Sequence, residues 1–532
     1  MKNEPVKSYK KNSEERKQLM KTISQMKNNP VDIPLIIGGK EIRTGRTVKI
    51  TAPHNHQLYL GEYHIAGEHE IQLAIQAAQE AKKSWESLSF DDRAKIFLKA
   101  ADLLAGEWRS LLNATTMLGQ SKTIHQAEID AACELIDFFR FNISFYDELY
   151  REQPLSTTDE INKMEYRPLE GFVLAISPFN FTSIGGNLAT APAMAGNTVL
   201  WKPAGNAVYS NFQIMRLLEA AGMPPGVINF IPSRGKDINK WVIQHSELSG
   251  IHFTGSSKTF ETIWKSVSTH LNHYKNYPRI VGETGGKDFI FAHSSADIEA
   301  LNTAIIRGAF EYQGQKCSAA SRAYIPKSCW EELKKRLQRD IHQIKAGDVE
   351  VFSNFMGAVI DGEAYQRITS YINYAHESED TTFLCGGNYS DIEGYFIDPA
   401  IVITTDPTSK LMEEEIFGPV MTIFVYDDDA YYDTLALCNS ISPYALTGAV
   451  FANDENAIQE MLSALYYSAG NIYINDKPTG AVVGQQPFGG SRKSGTNDKA
   501  GSKLNLTRWV NARNVKRNLN PPKNFMYPFM ED

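Results

Sequence analysis

Three short segments of the sequence carry side chains that could act together in covalent catalysis. GQKCSA places Cys317 in a turn of small residues, where a thiol can be exposed and reactive, and the neighbouring Lys316 could lower its pKa. VGETGGK places Glu283 before two glycines, in a turn where a carboxylate can act as a general base. ISPFNF places Asn180 after a predicted buried strand, where its amide could donate to a developing oxyanion. Taken singly, these residues also fit a buried inert thiol, a solvated carboxylate and a turn asparagine.

Two further segments could bind a phosphate-containing ligand. FTGSS combines the end of a strand, a tight turn at Gly255 and serines at the start of a helix, where unpaired N–H groups and the Ser256 hydroxyl can bind an anion. The glycine fingerprint G-x-G-x-x-G is absent, so a simple serine N-cap fits the segment as well. Lys202 ends the strand TVLWK, where it could bind a ribose in the ligand crevice or remain a solvated lysine.

The elements that must position these residues follow an alternating pattern. Apolar positions at three- and four-residue spacing predict helices over residues 69–150. From about residue 170, short apolar runs predict strands, which alternate with an amphipathic helix that starts after Asn206 and stops at Gly222. The predicted strands are 171–176, 198–202, 227–232 and 250–255. Strand, helix and strand at this spacing indicate a parallel, doubly wound, Rossmann-like sheet.

A second αβ series follows and predicts a second domain that continues to about residue 500. Its first elements are predicted as a strand at 288–292, a helix at 297–312, a strand at 321–326 and a helix at 328–345. The two series meet at a predicted hinge over residues 278–286.

Length and composition limit the class of protein. A chain of 532 residues predicts two or three domains, and the net charge of -8 gives no reason to expect nucleic-acid binding. The five cysteines are scattered without metal-ligand spacing, which fits a reducing compartment and predicts neither disulfides nor a metal site. No stretch approaches about 18 apolar residues, and the N-terminus lacks a signal sequence. These features predict a soluble cytoplasmic protein.

The motifs ISPFNF, WKP, FTGSS, GETGGK, GQKCSA, EEIFGP and QPFGG occur in the order seen in the aldehyde dehydrogenase superfamily. The resemblance covers about residues 70–505. It implies an α/β fold with a Rossmann-type NAD-binding domain (1–150 and 170–281), an α/β catalytic domain (282–502) and a small oligomerisation arm (151–169 and 503–532). Members of the superfamily form dimers through such an arm, so the resemblance also implies a homodimer or a higher homo-oligomer.

The resemblance implies a role for each matching residue. Cys317 would be the nucleophile, the Asn180 amide and the Cys317 backbone N–H would hold the oxyanion, and Glu283 would activate the water that hydrolyses a thioester. Glu415 would hold the nicotinamide ribose, with Phe417 packed near the ring. The remaining contacts to NAD are implied for Ser177, Lys202, Gly255, Ser256, Ser257, Lys258 and Thr259. Ala204 stands where most members carry a glutamate, which leaves some use of NADP open.

A departure from the general pattern indicates one branch of the superfamily. The helix after FTGS carries Phe260 near its start, where most members have glycine, and this resembles the enzymes that oxidise glutamate semialdehyde, the open form of 1-pyrroline-5-carboxylate. The stretches AEIDAACELIDFFRFN, AFEYQGQKCSA and NDKPTGAVVGQQPFGGSRKSGTNDKAG resemble the same branch. The implied substrate contacts are Ser318, Gly480 and Ala481 for the carboxylate, Phe181 and Phe488 for the aliphatic stem, and Glu134 for the ammonium group.

Three alternatives compete with this interpretation. A dehydrogenase of another carboxylated aldehyde, such as succinate semialdehyde, would share the carboxylate contacts but not the long stretch 475–501. A CoA-acylating member would tend to lack the base, so Glu283 favours hydrolysis. A non-catalytic protein on the same fold would have lost Cys317, Glu283 or Asn180, and all three are present.

Overall fold

Two seven-stranded sheets and a two-stranded ribbon organise residues 1–530, the part of the chain that the computed structural model describes. Helices pack around both sheets. The helices of eight or more residues in this range are Glu14–Asn28, Glu68–Ser87, Phe90–Ala105, Arg109–Gln120, Leu135–Arg151, Thr182–Met194, Val208–Ala221, Ser257–Thr269, Ile298–Phe310, Lys327–Ile341, Gly362–Glu377, Tyr431–Ser440 and Glu455–Ala464.

The first sheet contains all four strands predicted between residues 171 and 255. Its spatial order is Arg279–Glu283, Leu248–Thr254, Phe172–Ile176, Thr198–Lys202, Ile228–Phe230, Leu35–Ile37 and Lys40–Ile42. The first five strands are parallel and the last two are antiparallel additions. The two N-terminal strands were not predicted, because three residues are too few to show a periodic pattern.

Helices cover both faces of this sheet, as the doubly wound pattern requires. Within Phe172–Ile176, Val173 and Ala175 join the core on one face, whereas Phe172 and Leu174 join the core on the other. A strand buried on both faces needs a continuous apolar run, which is why FVLAI has no polar alternation. The helix Val208–Ala221 ends at Gly222 with a left-handed backbone, as predicted.

The second sheet also confirms the predicted elements. Its spatial order is Thr381–Cys385, Ala400–Thr404, Val420–Tyr426, Ala320–Pro326, Asp288–Ala292, Thr447–Phe451 and Asn471–Ile474. Thr381–Cys385 is antiparallel to its neighbour and the other pairs are parallel. The predicted hinge, residues 278–286, contains the edge strand Arg279–Glu283 of the first sheet and most of the short connection to Asp288–Ala292 of the second.

The region predicted as helical, 69–150, is a series of helices interrupted by a π-helix at Glu128–Glu134. The π-helix was not predicted, since one wide turn leaves no distinct periodicity in the sequence. Ahead of this region lies a three-stranded sheet in which Asn55–His64 pairs with Val31–Ile33 and Thr47–Ala52. Short two-stranded pairs join Tyr389–Ser390 to Phe396–Ile397 and Tyr444–Ala445 to Ser491–Arg492.

The ribbon pairs two segments that are distant in the sequence. Glu160–Pro168 runs antiparallel to Val510–Asn518, with Val510 opposite Pro168 and Asn518 opposite Glu160. All five cysteines are free thiols, as predicted. Among residues 1–530, no helix combines the length and the apolar composition needed to span a membrane.

Candidate active site

Cys317 lies in the turn between the short helix Glu311–Gly314 and the strand Ala320–Pro326, and it is partly exposed. Its carbonyl is so close to Gly286 that a Cβ there would lie 2.4 Å from the carbonyl oxygen. Burial, followed by the carboxyl groups of Asp288, Glu283 and Glu415, holds the pKa of the thiol well above its usual value. The prediction that Lys316 lowers this pKa is wrong. Its ammonium instead donates to Glu311 Oε2 at 3.1 Å.

The backbone before Cys317 is held in an uncommon conformation. Tyr312 has φ 52° and Gln313 has φ 55°, which places both residues in the left-handed region that L-residues seldom adopt. The Gln313 amide donates to the carbonyls of Ser121 at 3.0 Å and Ala358 at 2.7 Å. These bonds hold a strained turn immediately before the thiol, and such strain is typical of functional sites.

Asn180 is buried directly after the strand Phe172–Ile176, and it faces the turn that carries the thiol. Its Nδ2 donates to the carbonyl of Gln315 at 3.1 Å, two residues before Cys317. An amide nitrogen has two hydrogens, so one N–H remains available for a substrate oxygen. The structure therefore brings Asn180 and Cys317 together across 137 residues of sequence (317 − 180).

Glu283 is the last residue of the edge strand Arg279–Glu283, and its carboxyl group reaches the loop that carries QPFGG. Its Oε2 accepts a hydrogen bond from the N–H of Gly490 at 3.3 Å. Burial raises the pKa of Glu283 well above its usual value, although this N–H and the Lys499 ammonium oppose the rise. A carboxyl group whose pKa is raised by burial holds a proton more readily and is a stronger base once ionised, which suits a general base.

Glu415 reaches the same glycine turn that the backbone of Cys317 approaches. Its Oε1 accepts a hydrogen bond from the N–H of Gly286 at 3.1 Å, and burial raises its pKa to about 7. Phe417 has a left-handed backbone, with φ 56°, and its ring meets the ring of Phe179 edge-on at 5.8 Å between centroids. Gly286 thus separates the carboxyl group of Glu415 from the backbone of Cys317.

The residues predicted to face phosphates lie at the start of the helix Ser257–Thr269, hereafter the Ser257 helix. The N–H of Gly255 donates to the carbonyl of Glu283 at 3.1 Å, which fixes the turn. The Ser256 hydroxyl caps the helix by accepting from the N–H of Thr259 at 3.3 Å, and the Ser257 hydroxyl donates to the carbonyl of Lys493. Ser256, Lys258 and Thr259 are exposed, so this helix start is open to a ligand.

Ser177 and Lys202 lie side by side at the carboxyl ends of adjacent parallel strands. The N–H of Ser177 donates to the carbonyl of Lys202 at 3.1 Å, and the Ser177 hydroxyl accepts from the Trp201 indole at 2.8 Å. Burial lowers the pKa of Lys202, whose ammonium has no hydrogen-bond or ion-pair partner within residues 1–530. A half-buried cation without a partner among the described residues at this edge of the sheet is suited to a ligand oxygen.

The residues predicted to bind the substrate carboxylate adjoin the thiol. The hydroxyls of Ser318 and Thr479 are hydrogen-bonded at 2.8 Å, which holds the loop containing Gly480 and Ala481 beside the residue that follows Cys317. Gly480 is exposed and has φ 96°, a backbone angle that favours glycine. Thr479 was not predicted, since a threonine in a loop has no distinguishing sequence pattern.

Two aromatic rings and one carboxyl group complete the predicted set. The Phe181 ring is covered by the ammonium of Lys122 at 4.3 Å from its centroid. Phe488 is anchored by paired backbone bonds to Ala500. Glu134, at the end of the π-helix, is partly exposed, and its Oε2 lies 2.9 Å from the Ser183 hydroxyl oxygen.

Sequence reasoning missed several buried ionisable residues, among them Lys122, Asp130 and Asp288. Asp130 and Lys122 form an ion pair of 2.7 Å next to Phe181, and both are inaccessible to solvent. Asp288 follows the hinge, accepts from the N–H of Thr447 at 2.7 Å, and has its pKa raised to about 8 by burial. Asp130 falls within the stretch AEIDAACELIDFFRFN, but no local pattern indicates its partners.

The structure shows how Phe260, the residue that indicated the branch, is packed. Its ring stacks on Phe253 at 5.4 Å between centroids, and a Cβ on residue 282 would lie 2.2 Å from the ring. The aromatic side chain therefore fits only because residue 282 is glycine.

A family model described as "Aldehyde dehydrogenase family" matches residues 41–515, and the chain belongs to this family. The match confirms the resemblance that the order of the motifs predicted. It also agrees with the geometry, in which Asn180 contacts the turn that carries Cys317 and the carboxyl group of Glu283 is close enough to act on the pKa of the thiol.

Relatives define the branch more narrowly. The delta-1-pyrroline-5-carboxylate dehydrogenase, mitochondrial, of Dictyostelium discoideum is 50% identical, over 100% of this chain and 96% of the relative. The delta-pyrroline-5-carboxylate dehydrogenase from Mycobacterium tuberculosis bound with NAD superposes with a TM-score of 0.97, at 47% identity, over 100% of this chain and 98% of that chain. A 1-pyrroline-5-carboxylate dehydrogenase from Thermus with bound NAD gives a TM-score of 0.91 at 31% identity, over 97% of this chain and 99% of that one.

Proposed function

We propose that this protein catalyses the NAD-dependent oxidation of L-glutamate γ-semialdehyde, formed by hydrolysis of 1-pyrroline-5-carboxylate, to L-glutamate. The observation that carries the chemistry is the approach of Asn180 to the turn of Cys317, with Glu283 at the adjoining hinge. Full-length likeness to relatives of that name supports the substrate. The proposed place of the reaction is the oxidative breakdown of proline.

The residues at the carboxyl edge of the first sheet fit a dinucleotide. Lys202 offers an ammonium without a protein partner, and the first N–H groups of the Ser257 helix have no carbonyl ahead of them. Glu415, beside the hinge, would hold the nicotinamide ribose. When bound, the nicotinamide accepts a hydride. Ala204 provides no carboxylate at the adenosine end, so NADP should be assayed alongside NAD.

The side chains of the site account for the other steps. The Cys317 thiolate attacks the aldehyde carbon, and the carbonyl electrons move to the oxygen, which the free Asn180 N–H and the Cys317 backbone N–H can stabilise. After hydride loss, the acyl group is a thioester on Cys317. Glu283 then takes a proton from water, whose oxygen attacks the acyl carbon, and the carboxylic acid and the thiolate are released.

The distal groups of the substrate are assigned to the residues beyond the thiol. The Ser318 hydroxyl and the N–H groups of Gly480 and Ala481 would bind the α-carboxylate, since the Ser318–Thr479 bond holds this loop next to Cys317. Phe181 and Phe488 would pack on the aliphatic stem, and Glu134 would receive the α-ammonium group.

The test is NADH formation with 1-pyrroline-5-carboxylate, propanal and succinate semialdehyde as substrates. The wild type should prefer the pyrroline, and Cys317→Ala should abolish activity on all three, since the nucleophile is lost. Ser318→Ala should raise KM for the pyrroline by about tenfold and leave KM for propanal nearly unchanged, because one charge-assisted hydrogen bond is removed. Cys385→Ala is the matched control, a partly exposed thiol on a strand of the second sheet that should retain full activity.

Each result of that assay has a separate meaning. Activity on propanal or succinate semialdehyde but not on the pyrroline would support the thiol mechanism and rule out the proposed substrate. An equal rise in both KM values in Ser318→Ala would contradict the carboxylate assignment. Activity that survives in Cys317→Ala would exclude the thiol mechanism.

We also propose that two copies of the chain associate through the ribbon. A two-stranded ribbon is marginally stable alone, and this one exposes Ile161 and Val515. The second sheet ends in the unpaired edge strand Asn471–Ile474, which exposes Ile472 and Ile474. A ribbon of one copy lying along this edge in the other would cover both surfaces. Val515→Asp should halve the mass measured by light scattering, and an unchanged mass would contradict the proposal.

The proposed compartment is the cytoplasm, as the sequence predicts, and five free thiols fit a reducing environment there. Several relatives carry "mitochondrial" in their names. Cell fractionation distinguishes the two compartments.

A further inference from the structure

One serine hydroxyl is shared by two carboxyl groups beside the proposed substrate site. The Ser183 oxygen lies 2.7 Å from Asp130 Oδ1 and 2.9 Å from Glu134 Oε2. A hydroxyl has one hydrogen, so it can donate to only one of them. If both groups were ionised, the carboxylate that did not receive this hydrogen would face a lone pair of the Ser183 oxygen, and the two would repel each other.

The hydrogen bonds of Asp130 decide which carboxyl group is ionised. Its Oδ1 also accepts from the N–H of Ser183 at 2.9 Å, and its Oδ2 accepts from the N–H of Thr182 at 3.0 Å and from the Lys122 ammonium at 2.7 Å. Four donors, one of them a cation, favour the carboxylate form. The Ser183 hydrogen therefore belongs to Asp130, and Glu134 must supply a hydrogen of its own to the Ser183 oxygen.

The charged groups around Glu134 favour the same assignment. Burial raises the pKa of Glu134 to about 8, and the carboxyl groups of Asp130 and Asp137 act in the same direction. A hydrogen bond donated by the Ser183 hydroxyl would lower this pKa, but that hydrogen belongs to Asp130. The Lys122 ammonium also lowers it but is already paired with Asp130. Glu134 is also the partly exposed member of the cluster, whereas Asp130 and Lys122 are closed off from solvent.

We propose that Glu134 carries a proton in the empty enzyme and releases it to solvent when the α-ammonium group of the substrate binds, with Ser183 as the positioning residue that holds that proton. The inference rests on the proposed function. The ammonium group brings the positive charge and the N–H donors that the ionised carboxylate lacks in the empty site.

The test compares L-glutamate with glutarate, which has the same two carboxylates and no amino group, as competitive inhibitors against the pyrroline substrate. The ratio of the two inhibition constants is measured from about pH 6 to about pH 8.5, which cancels pH effects common to both ligands. The ratio is the inhibition constant of L-glutamate divided by that of glutarate. In the wild type this ratio should fall by about tenfold for each unit that the pH rises, up to about pH 8, because below that pH each L-glutamate that binds displaces one proton.

Two variants complete the test. Glu134→Gln has the shape of the protonated acid and keeps its hydrogen-bond donor, so it should fold normally. Because the amide cannot ionise, the ratio should stay at its low-pH value across the whole pH range. Ser183→Ala removes the acceptor of the Glu134 hydrogen and should move the midpoint of the ratio to lower pH, a change that a purely structural role would not produce.

The possible outcomes separate this inference from the proposed function. A ratio that does not vary with pH in the wild type, or that varies equally in Glu134→Gln, overturns the proton assignment and leaves the substrate intact. Failure of both ligands to compete, together with no turnover of the pyrroline, overturns the proposed function and this inference with it.

Discussion

Two helices begin at the carboxyl edge of the first sheet, and their N-termini are treated in opposite ways. The helix Thr182–Met194, hereafter the Thr182 helix, directs the N–H groups of Thr182 and Ser183 at the buried carboxylate of Asp130. The Ser257 helix has only the exposed Ser256 hydroxyl as its cap and no acidic residue in its first turn. The positive end of one helix is therefore occupied by the protein, and that of the other is left open.

The two helix ends therefore have different roles: one holds the site in place, and the other is free to bind a ligand. An internal carboxylate and its Lys122 partner fix the start of the Thr182 helix, and Asn180 lies two residues before that start. An open N-terminus holds nothing in place but can bind the phosphates of a dinucleotide. The same backbone feature thus serves as a rigid support in one place and as a proposed binding site in the other.

The largest expected effect comes from removing the Asp130 carboxylate at the start of the Thr182 helix. Asp130→Asn leaves the Lys122 ammonium buried without a counter-charge, which should lower the free energy of unfolding by about 3–5 kcal/mol, measured by urea denaturation. The double variant with Lys122→Met has no unpaired charge and should recover most of the loss. A single variant within about 1 kcal/mol of the wild type would contradict the assigned role of the pair.

The second prediction extends the comparison from helix ends to carboxyl groups. Asp130 has four donors, whereas Glu283 has one backbone N–H, and burial raises the pKa of Glu283 and of the Cys317 thiol. Both groups act in their ionised forms and are protonated at low pH, so kcat/KM for propanal should rise with pH through neutrality by at least about tenfold per unit. Propanal lacks an ammonium group, so Glu134 does not contribute. A flat profile would mean that neither raised pKa persists in the working enzyme.

The third prediction makes the open N-terminus resemble the occupied one. Ser256→Asp keeps an N-cap acceptor for the N–H of Thr259, so the stability of the helix should be preserved. Its negative charge would repel the dinucleotide phosphates and raise KM for NAD by about tenfold or more. Ser256→Asn, a neutral cap, is the matched control and should leave KM within about threefold of the wild type. Equal KM values in the two variants would place the phosphates elsewhere.

Much of the fold follows from local sequence patterns. The runs FVLAI, TVLWK and DFIFA are strands at or within one residue of the predicted bounds, because strands buried on both faces must be continuously apolar. The N-terminal strands Leu35–Ile37 and Lys40–Ile42 were missed because they are short and add to the sheet through contacts distant in sequence.

Some residues of the candidate site could also be predicted from the sequence, and others could not. Cys317, Glu283 and Asn180 were identifiable because their residue types lie in short motifs whose order is specific to the family. The effect of Lys316 was predicted wrongly, since adjacency in sequence suggested a contact with the thiol, whereas the side chain pairs with Glu311. Lys122 and Asp130 were not predicted at all, because their bonds to each other and to the Thr182 helix depend on packing between distant segments.

The sequence by itself determined the candidate residues for the chemistry, the alternation of strands and helices, and the family, since all of these are recorded in local composition and order. Only the tertiary structure decided which ionisable groups are buried together, which helix end is occupied and which is open, and where Phe260 finds room above Gly282. The physical reason is that pKa values and packing depend on what surrounds a residue in space, and those neighbours come from segments far apart in the chain.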